Sequence, residues 1–231
     1  MLTVEHLESG YGRMQILWGV ELAVAEREVH VLLGANGAGK STFFKVLVGL
    51  LPAWSGGVRI HDRDITSLSA RERVKLGLGY TSETGIFPDL TVDDNLRISA
   101  LALPSVDRKE AIEAAYGRFE ELKSRRHDLA GGLSGGQRKL VAIARALVVK
   151  PAVLLMDEPS SGLSPRYVTE VVERLSELRG TTTLVVAEQN VSFLDIADSV
   201  SVLEGGRIKF SGSKGAFSNN EALRNAFFGL E

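Results

Sequence analysis

Residues 34–41 read GANGAGKS, an unbroken match to the phosphate-binding pattern G-x-x-x-x-G-K-[ST]. The run before it, Val29-His30-Val31-Leu32-Leu33, is short, apolar and β-branched, as a buried strand requires. The run after it, residues 42–50, has helical character. Strand, glycine loop and helix is the context in which the pattern has physical meaning; a plain glycine-rich turn needs no such flanks. Gly34, Gly37 and Gly39 allow the backbone to curl so that N–H groups point at phosphate oxygens, and the helix N-terminus adds its dipole. Lys40 is placed for the β- and γ-phosphates and the Ser41 hydroxyl for Mg²⁺. The candidate nucleotide contacts are Gly34, Ala35, Asn36, Gly37, Ala38, Gly39, Lys40, Ser41 and Thr42.

Two further stretches narrow the chemistry. Residues 133–137 read LSGGQ and run into an apolar-periodic segment through Leu140, Val141, Ile143, Ala144, Leu147 and Val148. Ser134 is positioned as the cap of that helix, and Gly135 and Gly136 leave backbone N–H groups open for an anion. Alone, this pentapeptide equally describes an ordinary capped surface helix. Residues 153–159, VLLMDEP, are an apolar strand ending in two adjacent acids. Beside a phosphate loop, Asp157 is suited to hold Mg²⁺ through water, and Glu158 to polarise an attacking water.

Taken together, the phosphate loop, the LSGGQ stretch and the strand ending in Asp157-Glu158, in that order, resemble the nucleotide-binding subunit of ATP-binding cassette (ABC) transporters over essentially the whole chain. The resemblance implies an α/β fold: a P-loop NTPase core with a parallel sheet, an antiparallel β flap and an inserted α-helical subdomain. It implies ATP and Mg²⁺ as ligands and a head-to-tail dimer with a homologous subunit or a second copy. In that dimer Ser134, Gly135, Gly136 and Gln137 cover the ATP held by the partner's phosphate loop. Tyr11 lies where the family places an aromatic that stacks on adenine. Hydrolysis would drive integral-membrane permease subunits at the cytoplasmic face of the inner or plasma membrane, with a solute-binding protein acting indirectly.

Departures from the general family pattern point to a subgroup. Glu83 stands where a glutamine is usual, at the Mg²⁺ edge of its loop, and Ser164 stands where an aspartate is usual. Gln189 replaces the histidine that touches the γ-phosphate; its amide still offers a hydrogen-bond donor. Glu83 together with Glu188-Gln189-Asn190 resembles the smaller ATPase of branched-chain amino-acid importers and the related urea importers. Thr84-Gly85-Ile86 departs from that subgroup, which usually has two basic residues after the glutamate. In the family this loop borders the groove that receives a cytoplasmic helix of the permease. Ile86 and Phe87 therefore have two readings: an interface, or packing between the core and the helices.

Composition agrees. The chain of 231 residues is long enough for one substantial core and a small subdomain. It has no cysteine, which excludes thiol catalysis, disulfides and cysteine-ligated metal. A net charge of −2 gives no general attraction for nucleic acid. No stretch approaches the roughly 20 apolar residues of a membrane span, and the N-terminus does not read as a secretory leader.

Residues 1–231 are expected to form one ATPase domain, with residues 86–145 as the helical subdomain. Residues 2–7 and 19–24 read as flap strands, and residues 58–61, 77–81, 153–156, 183–187 and 199–203 as further strands. Thr91 is expected to cap a helix, helical character is broken near residues 104–107, and Gly205-Gly206 is a hairpin turn. A tail helix is expected to pack through Phe217, Phe227 and Phe228. His30 reads as a satisfied core histidine, Trp18 as packing, and Lys123, Arg125 and Arg126 as a solvated helix end. The rival classes are a cassette ATPase acting on DNA or the ribosome and an inactive scaffold. Lys40 and Leu133 are too close for an intervening long coiled coil, and the intact Lys40, Asp157 and Glu158 oppose the scaffold.

Overall fold

The computed structural model describes residues 1–82 and 85–221. The chain opens with an antiparallel pair, β1 (Leu2–Tyr11) and β2 (Met14–Val24), and then β3 (Val29–Leu33), the phosphate loop and α1 (Lys40–Leu47). Next come β4 (Ser55–Ile60), β5 (Arg63–Asp64), α2 (Ala70–Lys75) and β6 (Leu78–Thr81). Helices α3 (Val92–Ala100), α4 (Arg108–Arg118), α5 (Glu120–Ser124) and α6 (Gly135–Val148) separate β6 from β7 (Val153–Asp157). The chain then forms α7 (Pro165–Ser176), β8 (Thr183–Glu188), β9 (Ser199–Glu204), β10 (Arg207–Ser213) and α8 (Lys214–Ser218).

Two sheets result. One has the order β2-β1-β4-β5 and is antiparallel; the other has the order β10-β9-β3-β8-β7-β6 and is parallel except for its β9–β10 hairpin. The central strands of the second sheet read as continuous apolar runs because both faces are covered. Val31, Leu33, Met156 and Val186 face a core built with the helices between β6 and β7 and with α7. Leu32, Leu155, Val185 and Ala187 face the other way, onto Phe43, Phe44 and Leu47 of α1 and onto the antiparallel sheet.

Several elements differ from the sequence expectation for local physical reasons. β1 and β2 extend well beyond residues 2–7 and 19–24, because register shifts between Val4 and Leu7 and between Leu7 and Ser9 carry the pairing past interruptions of the two-residue period. His6 in that stretch has φ 45°, and Gly19 φ 64°. The strand expected at 58–61 is β4, paired with β1 in the antiparallel sheet. α1 starts at Lys40, two residues before the apolar run, and ends as Gly49 turns into the left-handed region at φ 77°.

Arg126 is only part-exposed and is tied to the helices rather than free in solvent. Its Nη2 donates to Asp93 Oδ1 at 2.8 Å, its guanidinium lies over the Tyr116 ring at 5.3 Å, and the Tyr116 hydroxyl donates to the same oxygen at 3.0 Å. Burial pushes the Asp93 carboxyl up, but hydrogen bonds from Arg97, Tyr116 and Arg126 outweigh it and hold the group below the usual carboxylate range. Trp18, expected to pack, is part-exposed with the Arg207 guanidinium 5.5 Å from its ring centroid. Thr91 caps α3 as expected, its Oγ1 accepting from Asp94 N at 3.0 Å. Phe217 of α8 is buried against Phe210, while Phe227 and Phe228 lie outside the described residues.

His30 is a core histidine, its Nδ1 2.6 Å from Ser199 Oγ, and its Nε2 is buried without a hydrogen-bond partner among the described residues. Burial lowers its pKa from 6.5 to about 4, against the opposing charge of Glu28. The folded chain therefore holds a neutral ring where the unfolded chain binds a proton. The resulting stability is complete above about pH 6.5 and is lost as pH falls toward 4, up to about 3 kcal/mol at 1.36 kcal/mol per unit. Urea unfolding from pH 7 to 4 of wild type and His30→Gln checks this: the variant is expected to show the shallower decline, and equal declines refute it.

Candidate functional site

Strands β3, β8 and β7 are adjacent, parallel and in register, with Leu33 opposite Glu188 and Ala187 opposite Asp157. Their carboxyl ends therefore deliver the phosphate loop, the Gln189 loop and the Asp157-Glu158 pair to one edge, where open α/β sheets bind ligands. The phosphate loop closes on itself through Ala38 N to Ala35 O at 3.1 Å, and Phe43 N reaches back to Gly39 O at 2.8 Å. Gly37 and Gly39 stand at φ 82° and 107°, conformations that side chains oppose, and a Cβ on Gly37 would meet nothing within 4 Å. The backbone there is bent and uncovered, as a phosphate cradle requires. The β9–β10 turn braces it: Gly206 N donates to Ala38 O at 2.9 Å, and a Cβ on Gly206 would lie 1.7 Å from Ile16 O. Asn36 is exposed on the rim of the loop.

Lys40 is 3 % exposed. Its Nζ donates to Gly34 O at 2.7 Å and to Ala35 O at 3.2 Å, and pairs with Glu158 Oε1 at 3.0 Å. Ser41 Oγ donates to Asp157 Oδ1 at 3.1 Å, and the Tyr80 hydroxyl to Asp157 Oδ2 at 3.4 Å. Burial raises the Asp157 carboxyl above its usual range; the Ser41 hydrogen bond opposes this and the Glu158 charge adds to it. Burial and the Asp157 charge also push the Tyr80 phenol up, so it stays a neutral donor. Ser41 and Asp157 together offer the hard oxygen donors Mg²⁺ takes. Among the described residues no cluster of three or more His, Cys, Asp or Glu that could hold a metal ion forms.

Tyr11, at the end of β1, is 45 % exposed; its hydroxyl accepts from Thr42 Oγ1 at 3.5 Å and Lys45 Nζ at 3.3 Å, so its ring stands beside α1 at the mouth of the loop. The Gln189 side chain is exposed at the end of β8. Glu83 and Thr84 lie outside the described residues.

The LSGGQ segment is built as its sequence suggests. Ser134 Oγ accepts from Gln137 N at 3.3 Å and Gln137 Oε1 accepts from Ser134 N at 3.2 Å, a reciprocal cap at the start of α6. Ser134 and Gly135 are exposed, whereas Gly136 is buried under Tyr167: a Cβ there would lie 2.2 Å from the ring. Within one chain no hydrogen bond among the described residues joins residues 134–137 to the phosphate loop.

Two residues given no site role from the sequence belong to this site. Lys139, on α6, donates from Nζ to the Glu158 carbonyl at 3.0 Å. Glu188 accepts through its carboxylate from Ser160, Gln189 and Asn190. Glu188 carries two sequence signals, its place in the Glu188-Gln189-Asn190 stretch and a charge closing an apolar strand, but neither gives it a role in the site, and Lys139 has no signal.

Phe87 is 43 % exposed, with Arg145 4.5 Å from its ring centroid, and Asn95 holds its backbone by Phe87 N to Oδ1 at 2.8 Å and Nδ2 to Phe87 O at 2.9 Å. At that exposure Phe87 is not part of the core, while Asn95 fixes its peptide. Phe87 lines a groove of 590 Å³ together with Leu50, Val74, Ile98, Arg145 and Val149.

The ABC transporter family profile matches residues 17–161. A probable branched-chain amino acid transport ATP-binding protein, LivF, of Archaeoglobus fulgidus is 36 % identical, covering 100 % of this chain and 99 % of its own. The high-affinity branched-chain amino acid transport ATP-binding protein BraG of Pseudomonas aeruginosa is 34 % identical over 99 % of this chain and 100 % of its own. A solved ATP-binding cassette of an ABC transporter in its ADP conformation is 28 % identical with a TM-score of 0.84, covering 100 % of this chain and 99 % of its own.

Proposed function

We propose, since this chain belongs to the ABC transporter family, that it energises a membrane importer of branched-chain or other amino acids. Membership makes the chain a nucleotide-binding ATP hydrolase. The observation that carries the residue assignment is the convergence on Lys40: one ammonium bonds the phosphate loop and pairs with Glu158, beside the linked Ser41 and Asp157. In this reading Lys40 holds the β- and γ-phosphates, with the N–H groups of residues 34–42 around them. Glu158 polarises the water that attacks the γ-phosphorus in line, releasing ADP and phosphate, and the Gln189 amide donates to a γ-oxygen. Tyr11 stacks on adenine. Ser41 and Asp157, together with Glu83, would hold Mg²⁺, which neutralises phosphate charge when bound. Ser134, Gly135, Gly136 and Gln137 act across a head-to-tail dimer; the exposure of Ser134 and Gly135 supports this. Residues 1–231 work as one domain in which residues 86–145 form the helical subdomain.

Among the described residues no helix is long and apolar enough to cross a membrane, so membrane attachment rests on permease subunits that hold the chain at the cytoplasmic face. The groove at Phe87 is the surface we assign to them, since a part-exposed ring over a part-apolar groove is a natural seat for a partner helix. Phe87→Asp is expected to keep the fold and basal ATPase, because Phe87 lies at the surface outside the buried core and away from Lys40 and Glu158, and to lower permease recovery in co-purification about tenfold or more. Undiminished recovery, or a melting temperature that collapses, refutes the assignment. Lipopolysaccharide-export ATP-binding proteins of the LptB type also match, at 33 % identity over 99 % of this chain. Identification of the co-purified permease decides between import and export.

A further inference from the structure

Glu188 closes β8 and is 2 % exposed. Three loops of the site meet on it. Its backbone carbonyl accepts from Gly34 N, the first residue of the phosphate loop, at 3.1 Å. Its Oε1 accepts from Ser160 N at 2.7 Å, and its Oε2 from Ser160 Oγ at 2.9 Å, on the loop that follows Glu158. The same Oε2 accepts from Gln189 N at 3.1 Å and Asn190 N at 3.2 Å. A carboxylate this buried requires donors, and every donor hydrogen-bonded to it among the described residues lies on a loop of the site rather than in the apolar core.

The loop it holds needs holding. Glu158 stands at φ 49°, a left-handed conformation that a non-glycine residue adopts only when its surroundings impose it. Its own N–H donates to Ala187 O at 2.9 Å, its carbonyl receives Lys139 Nζ, and two residues on Glu188 fixes Ser160. Freed of that last tie, the loop has less to keep Glu158 in place.

We propose that Glu188 is a positioning residue for ATP hydrolysis: its carboxylate holds the Glu158 loop and the Gln189 peptide in fixed relation to the phosphate loop. This rests on the roles given above to Glu158 and Gln189. Glu188 touches neither nucleotide nor water in this scheme; it acts through Ser160 and Gln189.

Glu188→Gln separates geometry from volume. An amide has one acceptor oxygen. Placed at the Oε2 position, that oxygen leaves the NH₂ group facing Ser160 N–H; placed at Oε1, it leaves the NH₂ group facing Gln189 and Asn190 N–H. Either way a donor meets a donor and one loop is released.

The experiment compares the full-length wild type with Glu188→Gln, Ser160→Ala and the double variant. The readouts are phosphate release, binding of a fluorescent ATP analogue, melting temperature and amide exchange at residues 158–163. For Glu188→Gln, kcat is expected to fall about 10- to 100-fold, as for a misplacement of about an ångström, with nucleotide affinity within about threefold of wild type. Ser160 N–H is expected to exchange about tenfold faster. Ser160→Ala, which loses only the Oγ donor, is expected to lower kcat a few-fold, and the double variant to lose less than the product of the two single effects, since the Ser160 contact is common to both.

A kcat within twofold of wild type overturns the proposal, as do an equal fall in affinity, unchanged exchange at Ser160 or strictly additive effects. If Glu188→Gln does not fold, Ser160→Ala decides alone: kcat reduced at constant affinity supports the role, and unchanged kcat refutes it. Turnover in the wild type with normal turnover in the variants sinks only this proposal. A wild type that binds nucleotide without turnover overturns the hydrolytic roles themselves, and the exchange arm then still reports whether Glu188 holds the loop.

Discussion

Glu158→Gln is expected to cut ATP hydrolysis about 10²–10⁴-fold while nucleotide binding stays intact or tightens. The substitution keeps the side-chain shape and removes the negative charge that polarises the attacking water. It also removes the partner that Lys40 holds at 3.0 Å, so the ammonium no longer divides its attraction between a carboxylate and the phosphates. The left-handed backbone at residue 158 is unaffected, because its restraints act on the N–H and carbonyl. With hydrolysis slow and ATP held, a dimer bridged by two nucleotides should accumulate. Phosphate release and light scattering with and without ATP measure both effects. Turnover at the wild-type rate would show that Glu158 is not the group that activates water.

Lys40→Ala is expected to act on binding as well as turnover, which distinguishes it from the first variant. Lys40 is buried, and its ammonium is held against the loop by Gly34 O and Ala35 O. A hydrogen bond to a charged group is worth about 1.5–3 kcal/mol, so two lost phosphate contacts amount to about 10²–10⁴ in MgATP affinity. The truncation also leaves Glu158 without its partner, and that carboxylate then repels the phosphates it would otherwise sit beside. Titration with a fluorescent ATP analogue and steady-state phosphate release on the same preparation check the prediction. Undiminished ATPase activity in the purified variant would remove Lys40 from the site.

What the sequence by itself determined is what short-range geometry controls. GANGAGKS between Val29–Leu33 and the helix of Phe43 and Phe44 could be read because its closures span only a few residues, Ala38 to Ala35 and Phe43 to Gly39. The cap of α6 was legible for the same reason, since Ser134 and Gln137 bond each other three positions apart. The strand ending in Asp157, the α3 cap at Thr91 and the Gly205-Gly206 turn carry their signals locally too. The family resemblance then supplied the α/β architecture with its two sheets.

Only the tertiary structure decided what depends on residues distant in sequence. The register shifts that extend β1 and β2 depend on which backbone groups meet across the pair, and alternation of apolar residues does not encode them. Arg126 is drawn partly out of solvent because Asp93, 33 residues away, is buried beside it and needs a counter-charge. Phe87 stands outside the core while Asn95 fixes its peptide, an outcome that its own apolar side chain does not reveal. Glu188 reads as one acid at a strand end; its contact with Ser160, 28 residues away, exists because parallel pairing sets β8 between β3 and β7. Sheet order is settled by the packing of both faces at once, and it is sheet order that gathers the loops of Gly34, Glu158 and Gln189 onto one residue, Glu188, through its carbonyl and its carboxylate.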